Sequence, residues 1–231
     1  MEKTPVRKSA LVTTELNEEM TRGSADRRAF LLWAGVALVV GQQATRSLAQ
    51  TASPPPADVP PFVQRGLPGP FHAVIRPLEG TWNVDKRIYI AIGTKDRPAV
   101  SEGMTCKRHW FGGGKHLEDI TVGSIGGSAY YRMGVLGFST MDRCYEFATF
   151  DALNANAMIY RSVALDAPGP RIVLTGVFTD QGLLGEAYTG KSIPMRTTIE
   201  ILGPDRHSID LHFMPPGERE VLIDHSTYAR A

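Results

Sequence analysis

The stretch "TWNVDKRIYIAI" (residues 81–92) decides the fold class of this chain. Its even-numbered apolar side chains recur at every second position: Trp82, Val84, Ile88, Ile90 and Ile92. Only Lys86 interrupts the series. Successive side chains of a strand point to opposite faces, so this alternation predicts a half-buried β-strand.

Further strand-like runs follow, separated by turns rich in glycine and proline. They cover about residues 102–111, 116–122, 129–138, 144–150, 158–165, 171–178, 195–202, 208–213 and 219–228. Residues 181–192 are predicted to be a loop, and no part of this region shows a sustained helical period. Short connections between about eight to ten strands predict an all-β fold, a single antiparallel meander barrel that closes on itself and so leaves no open edge.

The first fifty residues are typical of an export signal. The apolar run Ala29–Gly41 is about 13 residues long, whereas a membrane-spanning helix needs roughly 20. Arg27 and Arg28 directly precede it, and this arrangement resembles a twin-arginine (Tat) signal, although Leu32 stands where that pattern usually has a polar residue. Ser47 and Ala49 place small residues at the two positions that a signal peptidase reads, which predicts cleavage after Ala49.

We therefore expect residues 1–49 to be a Tat-type signal peptide, recognised by the Tat translocase and cleaved near Ala49. The mature protein would then be periplasmic, without stable membrane insertion. An uncleaved membrane anchor is the alternative. Residues 50–70 are rich in proline, which predicts an extended, solvated linker and leaves residues 71–231 as one domain.

Charge and cysteine content narrow the function classes. The chain has 25 Lys and Arg against 24 Asp and Glu, a balance that gives no electrostatic reason to bind nucleic acid. Cys106 and Cys144 are the two cysteines. An oxidising compartment would permit a disulfide between them, but thiols on separate strands are also common small core residues.

Several segments carry a family resemblance. "LEGTW" (78–82) resembles the Gly-x-Trp opening of calycin barrels, the group of lipocalins and fatty-acid-binding proteins. The ordered segments that follow resemble the bacterial family DUF1579, of unknown function, over about residues 71–231: "WFGGGKHLED" (110–119), "YYRMGVLGFSTMDRCYEF" (130–147), "TFDALNA" (149–155), "ILGPDRHSIDLHFMPPGEREV" (201–221) and "TYAR" (227–230). The resemblance implies a lipocalin-like β-barrel and no established activity.

The same resemblance implies how one end of the barrel closes. In calycins the tryptophan of Gly-x-Trp packs beneath an arginine from late in the chain. Gly80, Trp82 and Arg230 are the matching positions here, and we expect Arg230 to form a cation–π contact with Trp82. This role is structural.

Candidate ligand-binding residues lie on the second and last predicted strands. Arg108 shares its parity with Met104 and Trp110, and in fatty-acid-binding proteins an interior arginine holds the ligand carboxylate. The alternative is that a bulge turns Arg108 towards water. His225 continues the parity of apolar residues in the last strand and is predicted to point inward.

No cofactor or metal is predicted. Barrels related to nitrobindin bind haem iron through a histidine near the C-terminal end, which makes His225 a candidate, but the sequence has no second haem signature. No group of histidines and cysteines has zinc-like spacing. The sequence thus favours a protein that binds a small apolar or amphipathic, acidic ligand, with Ile199 and Leu211 as further inward residues. A structural envelope protein, or an enzyme using the barrel cavity for a hydrolytic or isomerase-type step, is the alternative.

Overall fold

The computed structural model describes residues 59–231, which form a closed antiparallel β-barrel. Ten strands follow one another around the barrel in chain order, and the last pairs with the first. They are β1 (Gly80–Ile88), β2 (Ala99–Phe111), β3 (His116–Ile125), β4 (Ser128–Ser139), β5 (Cys144–Asp151), β6 (Met158–Arg161), β7 (Arg171–Thr179), β8 (Ser192–Gly203), β9 (Arg206–Phe213) and β10 (Val221–Arg230). The predicted all-β, lipocalin-like meander barrel is confirmed.

Short helices precede the barrel. They are α1 (Pro61–Arg65) and α2 (Pro70–Ile75), followed by a 3-10 turn (Arg76–Leu78) and, between β7 and β8, a second one (Glu186–Tyr188). None of the helices within residues 59–231 is long and apolar enough to cross a membrane. The predicted export signal and the first part of the predicted linker lie outside the described residues.

The second part of the predicted linker is not extended throughout. Pro61 and Pro70 each stand in the first turn of a helix, where the N–H that proline lacks would have no intrahelical acceptor. In α2, Phe71 stacks on Phe138 of β4 at 4.1 Å between ring centroids, and Ile75 is fully buried. Tertiary contacts therefore fix α2 against the barrel.

Two strands contain β-bulges that shift their register. In β2 the pairing with both neighbours slips around Gly103, which has a positive φ of 57°. In β10 the extra residue is Ile223. A bulge inserts one residue into one strand, so the residues beyond it face the opposite side from that predicted by simple alternation.

The first strand is shorter than its alternating pattern. β1 ends at Ile88, and Ala91 adopts a left-handed conformation with φ 57°. Ile90 and Ile92 consequently belong to the β1–β2 loop, which folds over one end of the barrel. β6 likewise ends at Arg161, before the predicted boundary.

The other end of the barrel is closed by Trp82 and Arg230. Trp82 is fully buried and donates its indole N–H to the Leu78 carbonyl at 3.0 Å, while the Arg230 guanidinium lies 4.3 Å from the Trp82 ring. Arg230 also donates to the Glu79 and Pro77 carbonyls at 3.1 and 3.0 Å. These contacts tie the start of β1 to the end of β10.

Gly80 provides the space for this closure. A Cβ atom at Gly80 would stand 2.6 Å from Nη1 of Arg230, and Gly80 has a φ of 123°. The backbone conformation requires glycine at this position, and a side chain there would also displace the Arg230 guanidinium.

We expect Arg230→Ala to lower the free energy of unfolding by about 1–3 kcal/mol, because it removes the cation–π contact and the charge-assisted hydrogen bonds to two chain segments, residues 77–79 and 204–205. Urea denaturation measures the change. Arg87→Ala is the matched control, since Arg87 is an exposed arginine on β1, and it should leave the urea midpoint almost unchanged. Equal effects of the two substitutions would refute this role of Arg230.

Candidate functional site

A cavity of about 140 Å³ opens at the end of the barrel opposite Trp82 and Arg230. Its upper wall is apolar and includes Ile88, Ile90, Leu153, Leu183, Phe213 and Ile223. These side chains come both from strand ends and from the loops that follow β1, β5 and β7. The cavity therefore lies where the strands end and the connecting loops converge.

Two carboxylates shape the loops at this mouth. Asp151 accepts hydrogen bonds from the backbone N–H groups of Leu153 and Asn154 at 2.8 and 3.0 Å. Asp180, which is almost fully buried, accepts three such bonds, including that of Leu183 at 2.8 Å. The loop conformations that present Leu153 and Leu183 to the cavity are thus held by hydrogen bonds within the protein.

The floor of the cavity is polar. Lys86 is buried and forms an ion pair with Asp224, with 2.8 Å between Nζ and the carboxylate oxygen. The Tyr130 ring centroid lies 5.9 Å from the same Nζ. A smaller compartment of about 30 Å³ continues from these residues towards Arg132 and Tyr160.

Below the floor, two buried arginines share one carboxylate. Asp119 on β3 accepts from Nε of Arg108 on β2 at 2.6 Å and from Nη2 of Arg132 on β4 at 2.8 and 3.0 Å. Burial raises the pKa of Asp119, but the charges of Arg132 and Arg108 outweigh burial, so the pKa of this carboxyl lies well below its usual range. Asp119 is therefore ionised in the barrel interior.

His207 and Tyr228 complete this interior network. The Arg108 Nη1 group donates to Nε2 of His207 at 2.5 Å, and the Arg132 Nη2 group donates to the Tyr228 hydroxyl at 3.2 Å. Burial, assisted by the charge of Arg108, lowers the pKa of His207 to about 2. His207 is thus a neutral acceptor, and its ring stacks on Tyr228 at 4.3 Å.

The structure places Arg108, Met104 and Trp110 on the inner side of β2. Arg108 is buried, as its parity predicts, but its guanidinium is engaged by Asp119 and His207. Met104 is buried in the core, and Trp110 is half-buried against it near the closed end. None of these three described side chains lines the cavity at the mouth, so the structure does not bring them together as a ligand site.

The structure reverses the predicted orientation of His225. Ile223 is the bulged residue of β10, so the strand positions that follow it change sides. His225 lies opposite Arg87 on the outer face, and its Nδ1 is 2.5 Å from the carboxylate of Asp210. Alternation along the sequence cannot reveal an inserted residue, which is why the inward orientation is wrong.

Sequence reasoning missed Lys86, Arg132 and Asp224 as parts of the site. Lys86 did leave a signal, because it interrupts an apolar series at a position that faces inward. Arg132 shares its parity with the buried residues Leu136 and Phe138 of the same strand. Asp224 left no signal, since its inward position depends on the β10 bulge.

The two cysteines are separate free thiols. Cys106 lies inside the barrel, and burial raises its pKa to about 11, so it stays protonated. Cys144 lies beside Asp142 and Glu146 in a group with metal-ligand spacing. Arg161 already supplies the cation there, with Nη2 at 2.8 Å from Asp142 and 3.0 Å from Glu146.

Comparison with known proteins identifies the family of this chain. The family model "Protein of unknown function (DUF1579)" matches residues 67–230. The chain belongs to the DUF1579 family. No curated protein matches this DUF1579 chain.

A solved structure described as "Structure of EF1p2_mFAP2b bound to DFHBI" is similar to the DUF1579 chain at 12% identity and a TM-score of 0.37. The match covers 70% of this chain and 99% of that one. At this level the likeness supports no inference about function.

We expect Asp119→Asn to destabilise this DUF1579 barrel by about 3–5 kcal/mol, because two buried guanidinium groups would lose their counter-charge. Urea denaturation at neutral pH measures the loss. Asp85→Asn is the control, since Asp85 pairs with Arg87 on the surface and both side chains are about half exposed; it should cost less than about 1 kcal/mol. A small effect at Asp119 would show that the interior network contributes little to stability.

Proposed function

We propose that this chain works in the periplasm and that its barrel binds one small apolar or amphipathic molecule at its open end. The observation that carries this proposal is the cavity itself. Its apolar walls and polar floor lie above an interior that is otherwise filled by side chains of the protein. Small barrels that are not completely filled in this way can enclose one ligand.

The size of the cavity favours a small ligand. An engineered apolar cavity of about 150 Å³ binds benzene, and the cavity here measures about 140 Å³. Because this cavity is open at the mouth, a longer molecule can extend past Ile90 and Leu183 towards solvent.

Two further features favour binding over a purely structural role or catalysis. An unfilled apolar cavity lowers folding stability, so a barrel with only a structural role gains nothing from it. Hydrogen bonds to Asp151 and Asp180 order the mouth loops in advance, which reduces the entropy cost of binding. On the floor, Lys86 and Asp224 form an ion pair with each other, and this pairing favours binding over acid–base catalysis.

We expect Leu211→Trp to weaken binding of two neutral probes, indole and octan-1-ol, at least tenfold, because Leu211 lines both parts of the cavity and a larger ring fills it. Isothermal titration calorimetry on the full chain measures both affinities. Val177→Trp is the matched control, since Val177 is 64% exposed on the outer face of β7, and it should leave binding unchanged.

The contradicting outcome combines two observations. In the first, neither indole nor octan-1-ol binds the wild-type protein. In the second, native mass spectrometry of protein isolated from its own cells shows no bound small molecule. Together these results would mean that the cavity is not a binding site.

Export to the periplasm by the Tat translocase is a separate proposal, which rests on Arg27, Arg28 and the short apolar run behind them. We expect the mature protein to begin at Gln50, and mass spectrometry of its N-terminus measures this. Replacing both Arg27 and Arg28 by Lys should leave the precursor in the cytoplasm. An intact N-terminus recovered in the membrane fraction would instead support an uncleaved anchor.

A further inference from the structure

We infer that the ligand is an amphipathic monocarboxylic acid that enters head first and binds with its carboxylate between Lys86 and Arg132. This inference rests on the proposed binding function and names the ligand class for the same cavity. It follows from the unused hydrogen-bond donors of the floor, the ion pairs beside them and the size of the inner compartment.

Arg132 supplies an unused donor. Its side chain lines the inner compartment of the cavity, and the residue is only 8% exposed. Nη2 donates to Asp119 and Tyr228, whereas the buried Nε–H has no hydrogen-bond partner among residues 59–231. Buried donors of folded proteins are nearly always satisfied, so an acceptor from a ligand is expected here.

Lys86 supplies further donors to the same compartment. The residue is 5% exposed and lines both the inner compartment and the outer part of the cavity. An ammonium group has three N–H donors, and Nζ forms its ion pair with one carboxylate, that of Asp224. Lys86 can therefore hold Asp224 and a ligand oxygen together.

The ion pairs around the floor leave one arginine without a carboxylate of its own. Three cations face the interior from β1, β2 and β4, namely Lys86, Arg108 and Arg132. Asp224 pairs with Lys86, whereas Arg108 and Arg132 share Asp119.

Two further titratable groups lie near the floor. Asp151 lines both the inner compartment and the outer part of the cavity, and it stands opposite Arg132 in the β4–β5 register. Its Oδ1 accepts the backbone N–H groups of two loop residues. His207 is neutral because burial and the charge of Arg108 lower its pKa to about 2. A ligand carboxylate would accept from the free Nε–H of Arg132, which neither Asp119 nor Asp151 does.

The size of the inner compartment selects the head group. It measures about 30 Å³, which admits a single small polar group, and it shares Lys86, Tyr130 and Leu211 with the apolar part of about 140 Å³. A carboxylate presents two oxygens that can accept from a guanidinium N–H and from an ammonium group, in charge-assisted hydrogen bonds. An aliphatic chain attached to it would lie along Ile88, Phe213 and Ile223.

The decisive experiment compares octanoate with octanamide, which has the same shape and tail but no charge. Isothermal titration calorimetry on the full-length wild-type protein at pH 7.5 measures both. We expect octanoate to bind at least tenfold more tightly than octanamide. No substitution is needed for this comparison, so it does not depend on the folding of a variant.

A double variant tests the assignment to the floor. Lys86→Gln with Asp224→Asn replaces the ion pair by two neutral amides, so no buried charge is left unpaired. We expect its affinity for octanoate to fall at least tenfold, with that for octanamide changed less than twofold. Arg87→Gln, on the outer face of the same strand, is the control and should change neither affinity.

The possible failures are distinguishable. Equal affinities for octanoate and octanamide, or binding of octan-1-ol without binding of octanoate, would overturn the acid inference and leave the cavity as a neutral site. An unchanged preference for octanoate in the double variant would overturn the assignment to Lys86. Failure of all four probes to bind would refute the proposed function and the inference with it.

Discussion

The pairing of the Asp119 carboxylate with two arginines is the interaction on which the interior of this barrel depends. The carboxylate lies between Arg108 and Arg132, and the three residues belong to adjacent strands. Each guanidinium is buried, and a buried charge without a partner is far more costly than a buried pair. The polar layer across the middle of the barrel is therefore stable only while Asp119 is present and ionised.

This polar layer divides the barrel into two parts with different roles. On one side, Trp82, Arg230 and the turn preceding β1 fill and close the end. On the other side, the layer forms the boundary beneath the cavity, and the strands end in loops that present apolar side chains. Arg132 belongs to both parts, because one of its nitrogens binds Asp119 while another has no partner within the protein.

Much of the fold could be predicted from the chain. Alternation over residues 81–88 and in the later runs indicated the strands, and the short connections between them indicated a meander. The site was harder to predict. Arg108 was a reasonable candidate as an inward arginine, but its partners Asp119 and His207 lie 11 and 99 positions away along the chain. Nothing local indicates that those partners, rather than a ligand, satisfy it.

Lys86 and His225 illustrate what the alternation of side chains along the sequence can and cannot predict. Lys86 was visible as a polar residue in an inward apolar series, but its meaning depended on the carboxylate opposite. His225 was assigned to the wrong face because Ile223 is inserted into β10. No glycine marks the bulge at Ile223, so alternation alone assigned the inward position to His225 rather than to Asp224.

The sequence by itself determined which segments become strands and, outside the bulges, which side chains of each strand share a face. These properties are local, because successive Cβ atoms of an extended chain point in opposite directions. Only the tertiary structure decided which buried charges pair, where the cavity lies and which donors remain free at its floor. Those features depend on the register between strands and on bulges at Gly103 and Ile223, and register is set by contacts between residues that are distant in the chain.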